Sequence, residues 1–375
     1  MLMKICYVSN NFEIHDYRFL VKLIENNYDV HAVSFRKNKI PDKYFVDKIK
    51  YYEYYKIHTF LTKRYKGLNP FWYYNALKFL KRIIIEIKPD ILHGGYTSIS
   101  GFICALSGSH PFLLMPWGSD ILIDPKRFFG NKLLTSYSIR NSDLITCDIT
   151  IVKDEIVDKY DYDPDKIIVF PWGIDLNKFN PQNNETPDEL IEWKNNTIII
   201  CTRQHRKIYA NEYIIEAIPN ILKENNSIRF LFIGSGPLTE KYLKKVNKLK
   251  IEEYVKFIPW IDNEKLPLYL SNSDINVSAS LSDGSSLCLM EALACGLPSI
   301  VSDIKSNRIW IKNGYNGYLC KVKNSRDISE KILCLINNKK KFSKMKTKAI
   351  NTSKKEADWN KNFSKLEKTY QILLK

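Results

Sequence analysis

The chain reads as an α/β protein of two domains, each a parallel sheet covered by helices, and three observations predict it. Short β-branched apolar runs alternate with amphipathic stretches, the alternation halts in a segment rich in Asn and Pro, and it then restarts. With 375 residues, 45% of them hydrophobic and 26% charged, the chain can fill two cores of ordinary globular composition.

In the first half, 4–9, 30–35, 91–93, 112–115, 144–147 and 167–170 read as strands. Between them, 17–27, 72–87, 132–141 and 151–160 carry helical periodicity. Pro171-Trp172-Gly173-Ile174-Asp175 and the Asn- and Pro-rich residues after it break the pattern, so 173–192 is expected to be a linker. Beyond it, 197–202, 229–233, 255–257, 275–278 and 299–302 read as strands, with helices at 212–223 and 238–249. The expected domains are 1–172 and 193–354, each ending its strands at a cleft where ligands collect.

Composition narrows the classes. No apolar run reaches membrane-spanning length, the N-terminus enters a strand without a signal-peptide layout, and a cytoplasmic chain is expected. Eight scattered cysteines without a CxxC pair read as small buried hydrophobes, not as a disulfide or zinc framework. The net charge of +16 is concentrated: 36–88 holds fourteen basic residues against four acidic ones, among ten aromatic Tyr, Phe and Trp residues from Tyr51 to Tyr74. A second basic concentration lies at 339–375. Such a stretch suits an anionic membrane surface, a plain lysine-rich solvated surface, or nucleic acid, and the first is the expected partner.

Three loops that follow strands of the second domain carry chemistry. Asp283-Gly284-Ser285-Ser286 turns into a helix from Leu287, with Ser285 or Ser286 as its N-cap and Glu291 inside it. A helix N-terminus receives phosphate, and carboxylates on either side can hold hydroxyls, which matches a sugar, a diphosphate and a ribose. Arg203-Gln204-His205-Arg206-Lys207 supplies cations that can neutralise a diphosphate as leaving-group charge builds. Gly234-Ser235-Gly236-Pro237 makes a tight strand-to-helix turn. In the first domain, Asn11 and Asp16 follow the first strand, and His93 ends the strand at 91–93. No Asp/His cluster with metal-ligand spacing appears, so neither a metal nor a cofactor is expected.

Asp283-x7-Glu291 running into Ala292-Leu293-Ala294-Cys295-Gly296-Leu297-Pro298 resembles the signature of the retaining family-4 glycosyltransferases of GT-B fold. Asn313-Gly314-Tyr315-Asn316-Gly317 and Gly173-Ile174-Asp175-Leu176-Asn177-Lys178-Phe179 resemble further segments of that family. The resemblance implies two Rossmann-like domains facing a cleft, with a return helix at 355–375 packing on the first. It implies that Glu291 holds the donor ribose, Asp283 the donor sugar, and backbone from Gly284, Ser285, Ser286 and Leu287 the sugar and phosphate, with Gly236 nearby. Arg203 would meet the diphosphate, and either Lys207 or Arg206 would be the second cation. Where relatives carry glutamate this chain has Asp283, one methylene shorter. Where they carry a histidine it has Trp117-Gly118-Ser119-Asp120, so Asp120 or Asp16 is expected to take that contact, with His93 and Asn11 on sugar or acceptor. The implied activity is transfer from a nucleoside-diphosphate sugar, UDP by default, to a glycan or lipid-linked hydroxyl at the inner face of the plasma membrane. A non-catalytic or epimerase-type protein of this fold and a nucleic-acid-binding protein are the alternatives.

Overall fold

Strands with apolar side chains toward both faces need helices on both faces of a parallel sheet. The computed structural model builds two such sheets. It describes residues 2–36, 47–54, 70–127, 129–182 and 185–375. These divide into two compact units, Met1–Phe170 with Ser364–Lys375, and Pro171–Phe363.

The first unit contains β1 (Lys4–Ser9), β2 (Asp29–Ser34), β3 (Lys50–Glu53), β4 (Ile91–Gly95), β5 (Phe112–Met115), β6 (Leu144–Cys147) and β7 (Ile167–Val169). All pair in parallel, in the order β3-β2-β1-β4-β5-β6-β7. Ile5 of β1 sits opposite Val30 on one side and Ile91 on the other, so chain order reverses between β1 and β4. Loops leaving β1 and β4 diverge there and open a space at the carboxyl ends of the strands. β3 is absent from the sequence reading, where it falls inside the basic aromatic stretch. It forms because Tyr52 stacks on His31 of β2, with a 3.1 Å hydrogen bond between the hydroxyl and Nδ1. Residues 37–46 and 55–69, the larger part of the stretch expected to meet a membrane, lie outside the described residues.

The second unit contains β8 (Thr197–Cys201), β9 (Ile228–Ile233), β10 (Val255–Ile258), β11 (Ile275–Ser278), β12 (Ser299–Ser302) and β13 (Gly317–Cys320). Their order is β10-β9-β8-β11-β12-β13, again wholly parallel. The period of two along each strand sends alternate residues to two cores. Ile199, Cys201, Phe230, Phe232 and Val277 enter one; Ile198, Ile200, Leu231, Ile233 and Val301 enter the other. Helix Leu287–Ala294 closes the latter with Leu289, Met290 and Leu293. The order reverses between β8 and β11, so the second unit has its own switch point at those strand ends.

Two boundaries differ from the sequence reading. The segment 173–192 is not a free linker: Ile174, Phe179 and Leu190 are buried in the second core, and Ile174 exchanges 2.8 and 3.0 Å backbone hydrogen bonds with Ala357 and Trp359. Its Asn and Pro residues mask a spacing of apolar side chains that anchors it. The final helix, Trp359–Leu373, is divided between Phe363 and Ser364 rather than returning whole from residue 355. Its later part belongs to the first unit, where Glu367 accepts from Asn26 (2.8 Å) and Tyr370 meets His93.

β13 pairs so closely with β12 that a Cβ on Gly317 would collide with the Ser299 carbonyl oxygen. Gly108 instead caps a helix at φ +69° with open space around it. Gly317→Ala is therefore expected to cost about 3 kcal/mol and Gly108→Ala only about 1 kcal/mol, measured by chemical unfolding of both variants.

Candidate functional site

The switch point of the second unit gathers the residues that the sequence places on separate loops. Arg203 leaves the end of β8 and is only 8% exposed. Its Nε donates to Ser278 Oγ at the end of β11 (3.4 Å), and its Nη2 donates to both the Asp283 carboxylate and Ser286 Oγ. The guanidinium lies over the Tyr209 ring, 5.1 Å from the centroid. Burial by itself would lower the Arg203 pKa, but the Asp283 charge, with smaller help from Cys288 and Tyr209, holds it above its ordinary value. The side chain stays a cation, in a fixed place.

Helix Leu287–Ala294 begins at the same point. Ser286 is its N-cap, accepting from the Leu289 N–H at 3.3 Å while it also accepts from Arg203. Gly284 and Ser285 complete the turn before it. Glu291 lies on the second turn, about 7.5 Å along the axis from Ser286, and keeps 8% exposure. A small recess beside Arg203 is lined by Thr202, Asn276, Ser278, Cys288, Leu289 and Asn307. Cation, helix N-terminus and the Asp283 carboxylate are thus brought to one edge of one sheet, with Glu291 farther along the helix. Arg206 and Lys207 are both exposed on the adjoining turn, which places both candidates for the second cation at the surface.

Gly236 has a packing role. A Cβ there would stand 2.7 Å from the His205 carbonyl oxygen, so the turn after β9 lies directly on the loop after β8. His205 N–H donates to the Ser235 carbonyl (3.1 Å), and Thr239 Oγ1 joins His205 Nδ1 (2.8 Å) to the Gly236 N–H (3.0 Å). The buried imidazole, edge-on to Tyr242 and Phe257, clamps the two loops and so holds Arg203 in place. Sequence reasoning missed Tyr209, Ser278 and His205. A polar Ser278-x-Ser280 at a strand end was the available signal; nothing local marks Tyr209.

In the first unit the structure corrects the reading of three residues. His93 is fully buried, its Nδ1 hydrogen-bonded to Tyr370 at 2.7 Å and its ring edge-on to Tyr7. Burial pushes its pKa down to about 3, so it stays neutral and fastens the last helix to β4. Asp120 is fully buried as well, accepting from the N–H groups of Thr97 and Trp117, both at 2.8 Å. It ties the loops after β4 and β5 together and has no face for a ligand. Asp16 caps its own helix, accepting from the Glu13 N–H (2.9 Å) and the Tyr7 hydroxyl (3.0 Å). The burial of both carboxylates is balanced by hydrogen bonds from the loops around them. Asn11, half-buried after β1, is the remaining candidate there. Among the described residues no three His, Cys, Asp or Glu side chains are grouped to hold a metal, and no helix is long and apolar enough to cross a membrane.

Burial raises the Asp16 pKa to about 7, against hydrogen bonds from Glu13 and Tyr7 that lower it. A carboxyl whose folded pKa is raised contributes stability fully present below its unfolded value, lost as pH climbs to the folded one. The stability advantage of the wild type over Asp16→Asn should therefore shrink between about pH 4 and pH 7, as read by urea unfolding at both ends.

Residues 182–352 match the family model described as glycosyl transferases group 1, and residues 4–149 match that described as glycosyl transferase 4-like. The chain is 28% identical over 257 residues to the UDP-Gal:α-D-GlcNAc-diphosphoundecaprenol α-1,3-galactosyltransferase of Escherichia coli, a match spanning 65% of each protein. It therefore spans just under two thirds of that relative's length. In three dimensions it superposes on a glycosyltransferase from Rickettsia africae with a TM-score of 0.79 at 19% identity, covering 100% of this chain and 99% of the other. It superposes on HepE of Anabaena, solved with UDP, with a TM-score of 0.80 at 14% identity, covering all of both chains. With both units matched, the chain belongs to the family-4 glycosyltransferases of GT-B fold.

Proposed function

We propose that this glycosyltransferase moves a sugar from UDP to a hydroxyl of a lipid-linked or glycan acceptor in cell-surface polysaccharide or glycolipid assembly, with retention of anomeric configuration. One observation carries the reading: a buried guanidinium, oriented by Ser278 and Ser286, stands at the N-terminus of the helix that bears Glu291. As the bond from the anomeric carbon to the diphosphate oxygen breaks, negative charge accumulates on the phosphate. A pre-oriented cation and helix N-terminus stabilise that charge more than the ground state, which lowers the barrier. The acceptor hydroxyl attacks from the face the diphosphate leaves, and its proton passes to the departing phosphate oxygen. Glu291 takes the ribose hydroxyls, and Lys207 or Arg206 supplies the second cation. This assigns the leaving-group charge to protein groups, without a bound metal. The uracil base is supported by relatives whose names carry it: UDP-Gal for the Escherichia coli enzyme, UDP in the Anabaena structure.

The lipid-linked acceptor has support in the first unit. Helix Pro70–Ile87 turns Phe71 (79% exposed), Tyr74, Lys78, Lys81, Arg82 and Ile85 outward along one face. Helix Phe129–Arg140 exposes Phe129, Leu133 and Tyr137 at four-residue spacing beside Lys132 and Arg140. The helices are connected by rings, Tyr73 on Phe102 and Phe102 on Tyr137. Exposed apolar and cationic groups on these two helices suit an anionic bilayer, where rings and aliphatic side chains enter between headgroups. The Escherichia coli relative is named for a diphosphoundecaprenol acceptor, a lipid carrier.

Glu291→Gln should lower transfer from a UDP-sugar by about 100-fold, equivalent to about 2.7 kcal/mol of transition-state stabilisation, with the melting temperature nearly unchanged. Transfer at the wild-type rate would remove the donor assignment. Vesicles containing phosphatidylglycerol should float the protein at low salt and release it at high salt. Phe129→Glu with Leu133→Glu should abolish flotation while transfer to a soluble acceptor analogue continues.

A further inference from the structure

We propose that Asp283 occupies Arg203 while the site is empty and must surrender it to the donor diphosphate, so that the enzyme favours an intact nucleotide sugar over the free nucleoside diphosphate it produces. This rests on the donor-site reading above. Asp283 is 14% exposed at its side chain and Arg203 9%, so the pair is largely withdrawn from water. A cation so withdrawn needs an anionic partner, and the guanidinium directs Nη2 at the Asp283 carboxylate and Ser286. A diphosphate arriving at the N-terminus of helix Leu287–Ala294 seeks the same N–H groups. Two anions cannot share one desolvated guanidinium at equal strength, so the carboxylate yields. The turn Leu281–Ser285 is only half-buried and contains Gly284, which gives Asp283 room to rotate.

The fate of the displaced carboxylate produces the selectivity. With an intact donor, Asp283 exchanges a guanidinium for sugar hydroxyls, and its loss is offset. With a free nucleoside diphosphate the transferable sugar is gone and the ribose hydroxyls are taken by Glu291, so none replaces the guanidinium at Asp283 and the displacement goes uncompensated. Product therefore binds against the internal ion pair, which speeds its departure.

The test is calorimetric titration of UDP, UDP-sugars and inorganic pyrophosphate into the full-length wild type, Asp283→Asn and Asp283→Glu. UDP and pyrophosphate should bind Asp283→Asn at least tenfold more tightly than wild type. The preference for UDP-sugar over UDP should fall by a similar factor, and Asp283→Glu should keep the weak UDP binding. Asp283→Ser removes the charge with a smaller, still polar side chain and gives the same reading if the amide variant folds poorly. Unchanged or weaker UDP binding in the neutral variants, with wild type binding normally, overturns the displacement and leaves the donor site standing. If wild type binds neither UDP nor any UDP-sugar, the donor assignment falls and this inference with it.

Discussion

A parallel strand cannot return to its neighbour without a crossover, and this one constraint organises both units. Crossovers place helices over both faces of each sheet, so strands such as Ile5–Val8 and Ile198–Cys201 are buried on both sides. They also bring every strand's outgoing loop to the same edge. Where chain order reverses, between β1 and β4 and between β8 and β11, the loops diverge and leave a space lined by strand ends. Arg203, Ser278 and the Asp283 turn lie at that edge because β8 and β11 are neighbours. Residues 75 to 83 positions apart in sequence become hydrogen-bond partners.

The two switch points are treated differently. In the second unit the edge holds a buried cation, with a recess beside it and Glu291 on the next helix. In the first unit Asp120, Asp16 and His93 are withdrawn into the protein and spent on joining loops and the last helix. His205 has a similar role in the second unit, fastening the turn after β9 to the loop that carries Arg203. Precision at Arg203 thus depends on the buried His205 imidazole and on Gly236, whose lack of a side chain lets the two loops touch. The rigidity of such a shell is what allows a charge to be stabilised as it forms, without reorganisation.

Which residues were legible in advance follows from how local their cause is. Strand and helix positions were readable because period and β-branching act within a few residues; β1, β5, β6, β11 and β12 have the bounds that the apolar runs predict. The Asp283–Glu291 arrangement was readable because a cap, a turn and a helix face are set within one stretch of chain. β3 was not readable, since Lys50–Glu53 becomes a strand only against His31. Nor was the anchoring of 174–190, whose apolar side chains are too sparse to outweigh the Asn and Pro around them.

By itself the sequence determined the fold class, the family and the presence of a cation and two carboxylates near a helix start, because spacing and residue chemistry carry those. Only the tertiary structure decided which polar groups gather at a strand-end edge and which are consumed within the protein. His93 lies inside β4 rather than at its end, and Asp120 and Asp16 follow strands just as Arg203 does, yet burial and hydrogen-bond partners, from nearby Glu13 for Asp16 to distant Tyr370 for His93, close them off. Tyr370 reaches His93 across 277 residues, and Asp283 reaches Arg203 across 80. No local pattern encodes such pairs, since their energy comes from groups that meet only once the sheet has brought them together.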